Sequence, residues 1–248
     1  PYTKMSEGGT KIEDIKKMGG AAATIQMGIT VDDEISPGKY LEEKFGVPLY
    51  NLPLPIGVEH TDGFINTLIE ITGNRVTQDL QNERGRLLDG MVDSHKYNFA
   101  GRCAIFGEPE MVYAVAKTCL ENGVFPAVVA TGSQVGKLNE LLAAALADGA
   151  EDSNILIETD FAHILSACQE AKVNVGIGPS DGRYLTEKGE IPLVRLGFPI
   201  HDRVGGQRLL SVGYTGTMML LDRITNTLLE NKYKSYRSSM YEKFYQKA

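Results

Sequence analysis

The chain has 248 residues, 42% of them hydrophobic and 23% charged, with a formal net charge of −7. That is the balance of a globular protein of one large or two modest domains, and its acidity argues against non-specific nucleic-acid binding, which needs clustered Lys and Arg. No apolar run approaches the ~18 residues that cross a bilayer and no signal peptide opens the chain, so no membrane partner and a cytoplasmic location are expected.

The opening Pro1-Tyr2-Thr3-Lys4 reads as the interior of a polypeptide, and a fragment is expected. Thr10 and Glu13 are spaced as a capping box for a short helix over 12–18. A strand at 22–27 and a helix at 38–45 follow, and the latter leads into a Pro-rich run, 48–55, that suits neither a central strand nor a helix interior. Strong helical spacing covers 62–72 and 78–97. From about residue 98, apolar strand runs at 103–106, 127–130, 155–157, 173–177 and 193–196 alternate with helical patterns at 110–122, 137–146 and 162–171. Near-continuous apolar strands separated by helices indicate a parallel sheet covered on both faces. The expected fold class is therefore α/β. A Rossmann-like, doubly wound domain over 98–230 is preceded by part of a second similar domain with its connecting helix over 1–97. An amphipathic helix at 218–229 leads to residues 231–248, which carry four Tyr and five Lys or Arg and read as a docking tail or mobile end.

Cys103, Cys119 and Cys168 lie at least fifteen residues apart, so no compact zinc or iron–sulfur ligand spacing is present. All three fall in strand or helix patterns and read as small buried hydrophobes in a reducing compartment. Gly107-Glu108-Pro109 joins a strand to a helix, but GxGxxG is absent and Glu108 would repel an anion, so a structural turn is expected. Asp89 and Asp93 stand at i and i+4, which puts both carboxylates on one helix face. A solvated face, with Arg86 nearby, and a divalent-cation site are the two readings of that pair. His95 reads as structural. The segment from Arg195 to Arg203 follows the last strand, where open α/β sheets place ligand contacts. His201 and Asp202 there are either an acid–base pair or part of a charge network that fixes the crossover to the last helix. No activated nucleophile stands out.

Several segments resemble the molybdenum–iron protein β chain, within the nitrogenase component 1 family. They are Glu7-Gly8-Gly9-Thr10-Lys11-Ile12-Glu13-Asp14-Ile15, Pro55-Ile56-Gly57-Val58 with Thr61-Asp62, and Glu83-Arg84-Gly85-Arg86-Leu87-Leu88-Asp89 with Asp93-Ser94-His95. Gly107-Glu108-Pro109-Glu110, Arg195-Leu196-Gly197-Phe198-Pro199 with Asp202-Arg203, and Gly213-Tyr214-Thr215-Gly216-Thr217 leading to Asn226 complete the set. The matches run in order across nearly all of residues 5–230.

The resemblance implies the C-terminal portion of a β-type subunit with three Rossmann-like domains, working in an electron-transfer complex for ATP-dependent dinitrogen reduction. It implies a homologous α-type subunit, a second β-type subunit and the nitrogenase iron protein as partners. It also implies an iron–sulfur P-cluster and a molybdenum–iron cofactor in the full complex. None of the three cysteines matches a cluster ligand, so no cofactor and no catalytic residue are expected here. Asp89 and Asp93 align with carboxylates that, in such β chains, hold a divalent cation between two β subunits. Two alternatives stay open. One is the β-like subunit of the iron–molybdenum cofactor assembly scaffold, towards which Ala21-Ala22-Ala23-Thr24, Gly205-Gly206-Gln207-Arg208 and the tail lean. The other is a non-enzymatic α/β binding protein.

Overall fold

The computed structural model describes residues 9–147, 149–234 and 236–245. The Glu7-Gly8 start of the first matching segment lies outside the described residues. The first helix, α1 (Ile12–Lys17), is capped at Lys11 with no side-chain cap bond, so the expected Thr10–Glu13 capping box is not formed. The amides of Asp14 and Ile15 both close on the Lys11 carbonyl, which starts the helix one residue too late for Thr10 to cap it.

β1 (Thr24–Met27) and β2 (Leu49–Leu52) pair in parallel as a two-stranded sheet. Between them, α2 (Pro37–Phe45) has strong local boundaries. Ser36 accepts the Lys39 amide, Pro37 occupies the first turn, and Gly46 ends the helix at φ 70°. β2 begins within the Pro-rich run, and with β1 its sole partner among the described residues its other edge asks no amide of Pro48 or Pro53.

Two long helices follow, α3 (Val58–Thr72) and α4 (Gln78–Asn98), the latter capped by Thr77 through the Leu80 amide. The larger sheet then runs β3 (Arg102–Phe106), β4 (Phe125–Ala130), β5 (Asn154–Leu156), β6 (Val175–Gly178) and β7 (Leu193–Arg195). All pairings in it are parallel and the order is β5-β4-β3-β6-β7. The connecting helices are α5 (Pro109–Glu121), α6 (Gly136–Leu146), α7 (Phe161–Glu170) and α8 (Arg183–Gly189), with α9 (Gly213–Lys234) and α10 (Tyr236–Tyr245) after the last strand. α8 has no counterpart in the sequence reading. The proposed division at 230/231 falls inside α9.

The sheet's two faces carry separate apolar layers. Cys103, Ile105, Val129, Val175 and Ile177 pack on the α5, α6 and α9 side, while Ala104, Phe106, Val128 and Ala130 face α7 and α8. That burial on both faces is why these strands lack the polar alternation of a half-exposed sheet. A third cluster, Leu87, Tyr214 and Leu221, joins α4 to α9, which lie alongside each other.

Candidate functional site

In an open parallel sheet ligands bind beyond the strands' carboxyl ends, where the strand order reverses. Here that reversal lies at β3, between β4 and β6. Phe106, 3% exposed, ends β3 there, and a Cβ added at Gly178 or Gly182 would collide with its ring. Gly107, at φ 142°, turns the chain beside Pro179, and Glu108 caps α5 without a side-chain bond. The expected structural turn is what forms. The crevice wall here is the buried Phe106 ring, packed closely against the backbone at Gly178 and Gly182.

Beside it, the Arg195 guanidinium holds Asp202 through Nε at 2.9 and 3.0 Å and Nη2 at 2.6 Å. The Ser180 hydroxyl donates to the same carboxylate and accepts the His201 amide at 3.0 Å. The Ser180 amide in turn reaches the carbonyl of Pro199, which follows a cis peptide bond. Arg195 and Asp202 side chains are only 15% and 14% exposed. His201 is exposed and its ring is not part of this network, so Asp202 works as a crossover clamp and not as half of an acid–base pair. The arginine and the hydroxyl hold the Asp202 carboxyl well below the usual carboxylate range. A depressed folded-state pKa stabilises the fold above the ordinary value near 3.8, and that stability is lost as pH falls below it. Asp202→Asn is therefore expected to lower Tm at neutral pH and to shrink the loss of Tm between about pH 5 and about pH 2. Equal acid sensitivity in the variant and the parent chain would show that the clamp is not what titrates.

A second network ties the two halves of the chain together. Asp62 on α3 accepts a two-pronged bond from Arg84 of α4, at 2.9 and 2.8 Å, and the Tyr214 hydroxyl of α9 at 2.7 Å. Arg84 first, then Tyr214, draw the Asp62 carboxyl below its ordinary value, while burial first and Asp62 second push Tyr214 up to about 12. Thr215 donates to Glu83, and the Gly57 amide donates to Thr217 at 3.0 Å. α5 contributes two carboxylates. Glu110 takes the Ile29 and Thr30 amides and the Thr30 hydroxyl, and Glu121 takes the amides of Val58 and Glu59. Glu121 thus caps α3, whose own N-cap residue, Gly57 at φ 91°, has no side chain to do so. Burial, the largest influence on it, pushes the Glu121 carboxyl up. None of these roles was read from the sequence, because each partner lies far away along the chain.

Asp89 and Asp93 both lie on the exposed side of α4. Asp93 is 86% exposed and pairs with Lys96 at 3.8 Å, and no ion pair joins Arg86 to either carboxylate among the described residues. His95 stands apart from them, its ring packed against Gly123, where a Cβ would collide with it. No cluster of three or more His, Cys, Asp or Glu that could hold a metal ion is found among the described residues. A cation held by this pair would need further ligands from elsewhere.

The cysteines do not fit an iron–sulfur cluster. Cys103 and Cys119 share one apolar layer, Cys168 lies in the other, and all three are buried. Burial raises the Cys103 thiol well above its ordinary value and brings Cys168 to about 12, the opposite of the thiolate a cluster requires.

Fold and networks together define a parallel α/β protein in which Phe106 packs the crevice beside β3 and side-chain networks lock α3, α4 and α9 together. The family described as nitrogenase component 1 type oxidoreductase matches residues 2–229, and the chain belongs to that family. It is 37% identical over 230 residues to the nitrogenase molybdenum-iron protein beta chain of Clostridium pasteurianum, covering 92% of this chain and 50% of that one. The corresponding chain of Methanothermobacter thermautotrophicus is 35% identical over 229 residues, covering 92% and 49%. A solved structure titled nitrogenase Cp1 at pH 6.5 superposes with a TM-score of 0.87 at 36% identity, over 94% of this chain and 51% of that one. The chain thus spans about half the length of the relatives it matches. Among the described residues no helix is long and apolar enough to cross a membrane.

Proposed function

We propose that this chain is the C-terminal portion of a molybdenum–iron protein β-type subunit, working in a cytoplasmic electron-transfer complex for ATP-dependent dinitrogen reduction. The observation that carries the reading is the family match along residues 2–229 at half the relatives' length. The burial of Cys103, Cys119 and Cys168 in two apolar layers supports a division of labour in which cluster ligands come from elsewhere in the complex. The partners are a homologous α-type subunit, a second β-type subunit and the nitrogenase iron protein. Iron–sulfur clusters of the P-cluster type and the molybdenum–iron cofactor belong to parts of the complex outside this chain. Residues 98–230 act as a rigid wall and subunit interface, and 1–97 as the end of the preceding domain with its connecting helix.

Asp89 and Asp93 would supply two carboxylates to a divalent cation whose remaining oxygens come from other segments or a second subunit. Such a hard cation needs six to eight oxygens, and exposed paired carboxylates are a reasonable part of that set. The test is co-expression of the parent chain with its α-type partner, followed by anaerobic purification, native mass spectrometry and metal analysis. The expected product is an α2β2 assembly with reductase activity, whose divalent-metal content falls when Asp89 and Asp93 are both changed to Asn. An assembly without ATP-dependent reduction would contradict the catalytic reading in favour of the assembly scaffold. Unchanged divalent-metal content in the double variant would contradict the cation role.

A further inference from the structure

On the side of the Arg195–Asp202 clamp towards α9 a recess of about 430 Å³ opens between β7, the 200–209 loop and α9. Arg195, Arg203 and Arg223 line it together with Val194, Leu209 and Glu230. The single Asp202 carboxylate serves two of the arginines, Arg195 at 2.6 Å and Arg203 at 3.5 Å. Arg223 forms no ion pair among the described residues. Its Nη1 donates to the Arg195 carbonyl at 3.0 Å, while its contacts to the Met219 carbonyl and the Ser211 hydroxyl are long, 3.4 and 3.5 Å. Glu230 is exposed at the rim and lies beyond ion-pair distance of all three.

A guanidinium taken partly out of water is costly unless an anion meets it. Burial alone pulls Arg223 below its ordinary value, in keeping with that cost. The planar fork of arginine matches a carboxylate or phosphate edge, and the recess has the volume of a small-ligand site with an apolar wall behind the charge. We propose that this recess binds a small organic oxyanion, its carboxylate or phosphate oxygens on Arg223 and its apolar body against Val194 and Leu209. The site is independent of the role proposed for the chain in a reductase complex.

Calorimetric titration of the chain with benzoate and with phenyl phosphate tests it, with potassium chloride as the control. One saturable site is expected for at least one probe, with Kd on the order of millimolar or tighter. Arg223→Lys keeps the charge but loses the fork, and is expected to weaken binding about tenfold. Leu209→Asp alters only a partly exposed side chain at the recess, so it preserves the fold, and it is expected to weaken binding at least about tenfold by like-charge repulsion. Arg208→Lys, outside the recess, is expected to bind as the parent chain does. The absence of saturable binding for both probes would overturn the proposal. So would binding that Leu209→Asp leaves unchanged, whether or not Arg223→Lys folds.

Discussion

Leu87→Ala is expected to lower the stability of the chain by about 2–5 kcal/mol, read as a shift of the urea midpoint at unchanged slope. Leu87 is fully buried on α4 and packs with Tyr214 and Leu221 of α9. Truncation loses the transfer energy of the removed carbons and leaves a hole between two long helices that cannot collapse easily, because flanking bonds hold them in place. Asp62–Arg84–Tyr214 lies on one side of that hole and Thr225–Asn98, at 2.9 Å, further along. A surface replacement such as Val92→Ala, at a residue 76% exposed on the same helix, is expected to stay within about 0.5 kcal/mol. If both variants proved equally mild, the α4–α9 seam would not be what joins the halves of the chain.

The second large effect is expected at the closed crevice. Gly182→Ala places a methyl group against the Phe106 ring, with the Leu193 side chain 3.1 Å away on another side. The ring has little room to retreat. It is 3% exposed and meets Phe161 edge to face with 5.5 Å between centroids. A cost of about 1–3 kcal/mol is expected from overpacking. Phe106→Leu, which shortens the obstructing side chain, is expected to recover much of that cost when combined with Gly182→Ala. The double variant should therefore be more stable than the sum of the single effects implies. Simple additivity would mean that the ring is not the group that closes the site.

Much of the larger sheet is legible from the residues. Strands buried on both faces read as apolar runs, so Cys103 to Phe106 and Ala127 to Ala130 stand out without any partner in view. What escapes the sequence is set by distant partners. α3 begins at Val58, a turn before the expected 62, because Glu121 supplies the cap from 63 residues away. α9 extends in both directions past the expected 218–229. Its opening turn contains Gly213 and Gly216, poor helix formers, but the Thr217 hydroxyl accepts the Gly57 amide just before α3 and the Tyr214 hydroxyl donates to Asp62 on α3. α8 is a short helix of seven residues whose apolar spacing is too brief to register. At the site, the Arg195–Asp202 pair was legible as a charge network at a strand end, whereas Arg223 was not. Its lack of an ion pair among the described residues is a property of the fold, and no motif encodes it. The shared motifs around Gly57, Asp62, Arg84 and Tyr214 could be matched to a family before their work was known. Their work is to hold α3, α4 and α9 to one another.

Residues 98–230 are proposed to build a wall, with cluster binding left to segments elsewhere in the complex. Anaerobic reconstitution of the purified chain with iron and sulfide, followed by iron and acid-labile sulfide analysis, tests it most directly. No stoichiometric cluster is expected, with Cys103, Cys119 and Cys168 still titrating as thiols after unfolding. A stoichiometric cluster that is lost when any one of these cysteines is changed to Ala would contradict it.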